Sequence, residues 1–222
     1  MSGILTSDDL AAVIVNYRTP DLLETAAGSF RNFYPDVELV LVDNGSNDGS
    51  ADVIEALVSS NTVRTRPMML DRNYYHGPAM DRAMKSIDKE VIFFLDSDTE
   101  TIRGGFLESM LQEINYDDRV YGVGRIDRVN KRGFAVEDGP IAILLSPYMM
   151  LRRKMYFHLP PFKHHGMPTL ENFSAVESKG FLLKDFEIGS YIEHRGRGTA
   201  SRFGYSLGFR GKLDYLLNKV GL

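Results

Sequence analysis

Residues 91–98 read VIFFLDSD, five consecutive apolar residues followed by two aspartates that flank a serine. A β-branched and aromatic run of this length is the pattern of a strand covered on both faces, as in a parallel sheet. It passes directly into Asp96-Ser97-Asp98. In extended backbone, side chains two positions apart point the same way, so both carboxylates can face one ion. Oxygen-only ligation suits Mg²⁺ or Mn²⁺, which commonly bridge protein carboxylates and a diphosphate. Taken alone, such a triplet is also the composition of a solvated acidic turn. Its place at the end of a buried strand makes it a candidate metal site.

Working back from this stretch, strand-like and helix-like segments alternate. Residues 11–16 (AAVIVN) are a short apolar, β-branched run. Thr19-Pro20-Asp21 opens a helical pattern through Leu22, Leu23, Ala26 and Phe30, with Thr19 as N-cap and Pro20 at the first helical position. Residues 38–42 (ELVLV) read as a second strand, 43–49 (DNGSNDG) as a turn and 50–57 as a second helix. A partly polar third strand is expected at 62–66. A third helix at 77–87 would carry Ala79, Met80, Ala83, Met84 and Ile87. This order predicts an α/β fold, a mostly parallel sheet flanked by helices with right-handed crossovers. Ligands of such sheets bind at the carboxyl ends of the strands. Asn16-Tyr17, Asp43 and Asp96-Ser97-Asp98 all fall at predicted strand ends.

The second half is less regular. Residues 120–126 and 133–136 are expected to pair as strands around a turn containing Asn130, and 140–150 is apolar before Arg152-Arg153-Lys154. Residues 160–168, rich in Pro and His around Gly166, read as a loop. A short helix follows at 170–178, a strand at 181–186, a polar loop at 195–201 and a helix at 208–222. Leu213, Leu216, Leu217 and Val220 recur there at helical spacing, as on an amphipathic helix that docks on the domain, a second subunit of a homodimer or a membrane face.

A chain of 222 residues with 43% hydrophobic and 25% charged content fits one globular domain and excludes disorder and fibrous repeats. No stretch reaches the roughly 18 apolar residues of a membrane span. MSGILTSDDL has no basic segment ahead of an apolar run, so no signal peptide is expected and the cytoplasm is the expected compartment, with peripheral contact at the inner membrane face. Without cysteine there is no disulfide, thiolate metal site or cysteine nucleophile. The net charge of −4 hides an asymmetry: residues 194–222 hold six Lys/Arg against one acid, so the body is acidic. An acidic body argues against a nucleic-acid binder. The basic tail suits phosphates or an anionic membrane, and equally a solvated surface.

VIVNYRTP, LVDNGSNDGS, VIFFLDSDTE and YIEHRGRGT, in this order and spacing, resemble a family 2 glycosyltransferase of the GT-A fold, over roughly residues 11–200. The resemblance implies a nucleotide-diphosphosugar donor (a UDP-sugar foremost), Mn²⁺ or Mg²⁺, transfer with inversion, and a glycan, lipid-linked or small-molecule acceptor. It implies a single domain: a nucleotide-sugar half over about 10–125, an acceptor and catalytic half over about 126–200, and the C-terminal helix over about 201–222. Asn16 and Tyr17 would floor the nucleotide site. Asp43 matches the base-binding acid, with Ser46 beside it. Arg72 and Asn73 resemble the N-x-G-x-x-x-A region, with a stretched spacing to Gly77. Asp96, next to Ser97, would face ribose and metal, Asp98 would bind the metal, and His194 would complete its shell. Arg152-Arg153 matches paired arginines, so that Arg153 would meet the diphosphate; ion pairs on a helix surface are the competing account. Arg195 and Arg197 would clamp the same diphosphate as a closing loop, or form a plain surface loop.

One position departs from the family pattern. An acidic Glu-Asp pair is expected about a dozen residues before the glycine corresponding to Gly180, and Pro168-Thr169 stands there instead. Glu171 is the first substitute as acceptor base. Asp138 in VEDGP and His164 or His165 in KHHGMP are the alternatives, the histidines equally suiting packing near Pro160-Pro161. Two other functions share parts of this pattern. A nucleotidyltransferase would need a Gly-rich basic loop after the first strand, which NYRTPDLL lacks. A nucleotide-binding module without catalysis would explain the missing pair.

Overall fold

In the computed structural model the described residues are 3–60, 63–164, 166–196, 198 and 202. The first half alternates as β1 (Leu10–Asn16), α1 (Pro20–Phe33), β2 (Glu38–Asp43), α2 (Ser50–Ser60), β3 (Thr65–Met69), α3 (His76–Ser86) and β4 (Val91–Asp96). There follow β5 (Thr99–Thr101), α4 (Phe106–Tyr116), β6 (Val120–Val129), β7 (Ile141–Arg152), α5 (Arg153–Tyr156), α6 (Leu170–Ser174), β8 (Leu182–Asp185) and β9 (Ile192–His194). Seven strands form one sheet in the order β3-β2-β1-β4-β7-β6-β8, and β5 pairs with β9 in a small second sheet.

β3, β2, β1 and β4 are parallel neighbours, as the alternation of segments predicts. β7 lies antiparallel between β4 and β6, and β8 pairs parallel with β6, so β7 alone runs against the other six. The chain winds outward from β1 through β2 to β3, then crosses back to place β4 on the other flank of β1. That reversal opens a crevice at the carboxyl ends of β1 and β4, the usual ligand position in open α/β sheets.

Alternation along β1 builds both halves of the core. Leu10, Ala12 and Ile14 pack with α1 and α4, while Ala11, Val13 and Val15 pack with α3 and the segment after β7. All seven β1 residues are buried, which explains an apolar run without polar alternation.

Several local expectations are corrected. Residues 133–136 do not form the partner strand of β6: one bridge joins Val129 to Ala135, and β7 supplies the long hairpin instead. Apolar β7 has two neighbours to satisfy, whereas 133–136 lies at the hairpin tip. The third strand falls at Thr65–Met69 rather than 62–66. α6 stops at Ser174, and the 170–178 helix finishes as a separate 3₁₀ turn at Glu177–Lys179. Neither β5 nor α4 is expected from the sequence. Gly105 at the N-cap of α4 has no capping side chain; the Tyr34 hydroxyl accepts the Phe106 and Leu107 N–H groups at 2.9 and 3.2 Å instead. No local pattern announces a cap delivered from 72 positions away. Among the described residues no helix is long and apolar enough to cross a membrane. The predicted helix at 208–222 lies outside the described residues.

Candidate active site

Three strand ends stand abreast at the crevice. Asn16 ends β1 and pairs in register with Asp43 at the end of β2, while Val15 pairs with Asp96 at the end of β4. Parallel pairing alone thus gathers side chains 80 positions apart along one edge.

On the β1–β2 side the polar groups interlock. Asn16 Nδ2 donates to Asp43 Oδ1 at 3.3 Å and to Ser46 Oγ at 3.4 Å. Ser46 closes a turn by donating its N–H to Asp43 Oδ2 at 3.1 Å and its hydroxyl to Oδ1 of the same carboxylate. Asn16, Asp43 and Ser46 are all buried, so these bonds replace lost water contacts. Gly45 is fixed by geometry: its φ is +70°, and a Cβ there would stand 2.3 Å from the Arg72 carbonyl carbon. The turn therefore packs backbone against backbone on the β3–α3 loop, where Asn44 Nδ2 donates to Asn73 Oδ1 at 3.2 Å. Arg72 is exposed, with its guanidinium 4.8 Å from the centre of the Tyr74 ring. Tyr17 is half-buried beneath the guanidinium of Arg18, 5.3 Å from the ring centre.

Thr19 occupies the N-cap position of α1, but its hydroxyl does not cap the helix. It donates to Asn16 Oδ1 at 2.8 Å and meets Ser97 Oγ at 3.1 Å, tying the β1 end to the β4 end. The pull of two buried polar partners outweighs the local capping preference.

On the β4 side, Asp96, Asp98 and His194 offer ligand atoms that all lie within 4.8 Å of one another. β5 and β9 create this group: Thr99 pairs with His194, so the last strand returns its histidine to the aspartates. His194 Nε2 is 3.3 Å from Asp98 Oδ1, and Gly198 donates its N–H to Asp98 Oδ2 at 2.9 Å. Burial works to raise the Asp98 carboxyl, but His194 and the Gly198 N–H outweigh it and hold it below the usual carboxylate value. The hydrogen bond to Asp98 raises the His194 imidazole. Burial pushes the Asp96 carboxyl up, with Asp98 adding to that and the imidazoles of His76 and His194 opposing it. Two carboxylates and an imidazole converging at this spacing could hold a metal ion.

Other expected residues go elsewhere. Arg153 does not reach this edge. It follows β7 at the opposite end of the sheet, where Arg152 pairs with Val91 at the start of β4. Its Nε donates to the Met84 carbonyl at 2.8 Å and a terminal nitrogen lies 3.6 Å from Asp88, so it closes the end of α3. Arg152 likewise holds the carbonyls of Val120 and Ile114. The antiparallel course of β7 carries both arginines away from the edge that holds Asp96. The Arg195 guanidinium pairs with Glu100, while its N–H donates to the Asp98 carbonyl at 2.9 Å. Arg197 and His165 lie outside the described residues.

The segment 160–171 is drawn to the site by α3. A Cβ on Gly77 would stand 2.2 Å from the Lys163 carbonyl oxygen, and His164 stacks on Tyr75 with ring centres 3.5 Å apart. Glu171, on α6, pairs with Lys163. Asn172 fastens the same segment by donating to the Pro160 carbonyl at 2.7 Å and accepting from Tyr121 Oη at 2.8 Å. Asp138 is exposed in a turn of the β6–β7 hairpin, beyond the carboxyl end of β4. His76, which the sequence analysis passes over, stands with Nε2 3.5 Å from Asp96 Oδ1. Its signal was a histidine immediately before Gly77 at a helix start.

The mostly parallel sheet, flanked by helices, with its crevice at the strand ends, is that of the GT-A fold. The chain belongs to glycosyl transferase family 2, whose family model matches residues 11–174. An undecaprenyl-phosphate 4-deoxy-4-formamido-L-arabinose transferase of Shewanella sediminis (strain HAW-EB3) is 31% identical over 200 residues, covering 84% of this chain and 58% of that protein. A protein of the same description from Proteus mirabilis (strain HI4320) is 31% identical over 81 residues, 36% of this chain and 25% of that protein. The chain thus spans between a quarter and somewhat over half of these relatives. Among solved structures, the mannosyltransferase PcManGT from Pyrobaculum calidifontis, in complex with GDP-Man and Mn²⁺, superposes with a TM-score of 0.67 at 13% identity, covering 80% of this chain and 54% of that one. S. aureus TarS 1-349 in complex with UDP-GlcNAc gives 0.61 at 17% identity, covering 84% and 60%. At these identities the likeness concerns the fold.

Proposed function

We propose that this chain transfers a glycosyl group from a nucleotide-diphosphosugar to a lipid-linked acceptor, with inversion at the anomeric carbon and a divalent cation at Asp96, Asp98 and His194. The observation that carries the reading is the meeting of that triad with the buried Asn16–Asp43–Ser46 network on one sheet edge. Asp43, beside the backbone approach at Gly45, would accept hydrogen bonds from the nucleoside, with Asn16 and Tyr17 as floor. Asp96 faces the ribose side and Asp98 with His194 the diphosphate side. A bound cation would neutralise charge on the departing diphosphate. The remaining acceleration would come from holding donor and acceptor in line. Arg195 contributes to the diphosphate only after leaving Glu100.

The lipid-linked acceptor rests on the relatives, which are described as undecaprenyl-phosphate sugar transferases. One of them aligns over 84% of this chain. The fold likeness does not choose the nucleobase, because one neighbour holds GDP-Man and the other UDP-GlcNAc. Two nucleophiles fit. An acceptor hydroxyl needs a base, for which Glu171 is the first candidate and Asp138 or a histidine of 164–165 the alternatives. A lipid phosphate presents an oxygen already ionised near pH 7 and needs none, which would explain why Pro168-Thr169 stands where the family's acidic pair is expected. Release of nucleoside diphosphate from donor sugars with Mn²⁺ and polyprenyl phosphate tests the reaction. Pyrophosphate release would instead mark nucleotidyl transfer, and neither product a binding module. A small-molecule or glycan acceptor would show as turnover without the lipid.

A further inference from the structure

We infer that His76 is a positioning residue of this site, holding the Asp96 carboxylate in the orientation that cation and donor require. This rests on the proposed cation site. His76 Nε2 is shielded from solvent and, among the described residues, has no hydrogen-bond partner, while Asp96 Oδ1 faces it at 3.5 Å. A sealed polar nitrogen facing a carboxylate oxygen has one direct remedy, a small rotation of either side chain that closes an N–H···O bond. Asp96 would then be flanked by imidazoles from two separate elements, His76 from α3 and His194 from β9. With Oδ1 engaged, the carboxylate loses its freedom to turn, and its second oxygen is presented to the crevice. Ligating carboxylates are commonly oriented by such outer partners.

The surrounding backbone is built to hold His76 where it is. Tyr75, just before it, adopts φ +66°, a left-handed conformation that a bulky residue takes only under constraint. Asn73 Oδ1 supplies that constraint by accepting the Tyr75 N–H at 2.7 Å, and Asn44 binds the same oxygen. From the other side, the close approach of Gly77 to Lys163 and the stacking of Tyr75 on His164 clamp the start of α3. Thus the Asp43 turn and the 160–171 segment both bear on the placement of one imidazole.

The test compares wild type, His76→Ala and His76→Gln, the last retaining an N–H near the Nε2 position. Mn²⁺ binding is read by electron paramagnetic resonance without donor, and donor KM and kcat are read separately. We expect His76→Ala to weaken Mn²⁺ binding or turnover about 10-fold or more. His76→Gln should recover most of the loss, and both variants should keep the wild-type unfolding midpoint. A loss in His76→Ala that His76→Gln does not reduce would overturn the hydrogen-bonding role. Unchanged Mn²⁺ binding and kinetics in His76→Ala, with wild type binding Mn²⁺, would remove His76 alone. Absence of Mn²⁺ binding in wild type would remove the cation site and this role with it.

Discussion

His194 Nε2 stands 3.3 Å from Asp98 Oδ1 because Thr99 and His194 are register partners across a two-stranded sheet. The same pairing brings the Arg195 N–H to the Asp98 carbonyl. The candidate metal group and the local fold therefore depend on the same strand pairing. Asp98 is depressed, so its contribution is present above the unfolded value near 3.8 and is lost as pH falls through the folded value. His194 is raised, so its contribution is full below 6.5 and is lost as pH rises through the folded value. The metal-free pair is thus strongest between these limits. A cation needs the imidazole without its proton, so Mn²⁺ affinity should rise with pH up to the folded His194 value, which lies above 6.5, and uptake below that value should release protons. His194→Ala should flatten that dependence. Calorimetry in two buffers of different ionisation enthalpy measures the released proton, and a pH-independent affinity in wild type would exclude His194 as a ligand.

Gly198 offers a local probe of the same carboxylate. A Cβ there would meet Asp98 Oδ2 at 2.8 Å, and that buried oxygen already accepts the Gly198 N–H. Gly198→Ala should weaken Mn²⁺ binding by about 10-fold, on the scale of other outer-shell changes, with little effect on thermal unfolding. Equal Mn²⁺ affinity in the two proteins would show that this approach does not shape the site.

Arg153→Ala separates a structural arginine from a diphosphate ligand. Loss of its bond to the Met84 carbonyl should lower stability by about 1–2 kcal/mol. Nucleotide affinity should not change, since Arg153 lies at the far end of β4. Urea denaturation and nucleotide titration give the two readings, and a large loss of affinity at unchanged stability would restore the diphosphate role.

Glu171→Gln distinguishes the two nucleophiles. With a hydroxyl acceptor, turnover should fall by about 10²-fold or more while donor affinity holds. With a lipid phosphate acceptor, turnover should stay near wild type. Lys163 pairs with Oε2 of Glu171, so Lys163→Met, which removes that pair, makes a useful companion variant.

Tyr34 reports on the part of the fold absent from the sequence reading. Tyr34→Phe removes the acceptor for two N–H groups of α4 and should cost about 1–2 kcal/mol. Burial pushes the Tyr34 hydroxyl up to about 12. The folded state therefore keeps a proton that the unfolded chain loses near pH 10, and stability falls as pH rises from 10 towards 12. Tyr34→Phe should lose stability less steeply than wild type over that interval, as urea titrations at several pH values would show.

Sequence alone determined the parallel half of this protein. The runs at 11–16, 38–42 and 91–95 needed no partner to declare themselves, because strands covered on both faces are apolar throughout. Their ends carried Asn16, Asp43 and Asp96, and the position of a strand end is a local property. Tertiary structure decided what came from beyond the next element. Arg153 and Glu171 both looked placed for chemistry by local sequence. The antiparallel course of β7 sent Arg153 to the opposite edge, and packing on α3 kept the segment bearing Glu171 beside the site. Thr19 left its capping role for Asn16 and Ser97, and Tyr34 took up the cap of a different helix. His76 faces Asp96 through the crossover from β3 to β4, which the order of segments predicts, and through a strained Tyr75, which has no local signature. Periodicity records which face of a segment is buried, whereas these partnerships depend on which segments meet, and burial of the whole chain settles that.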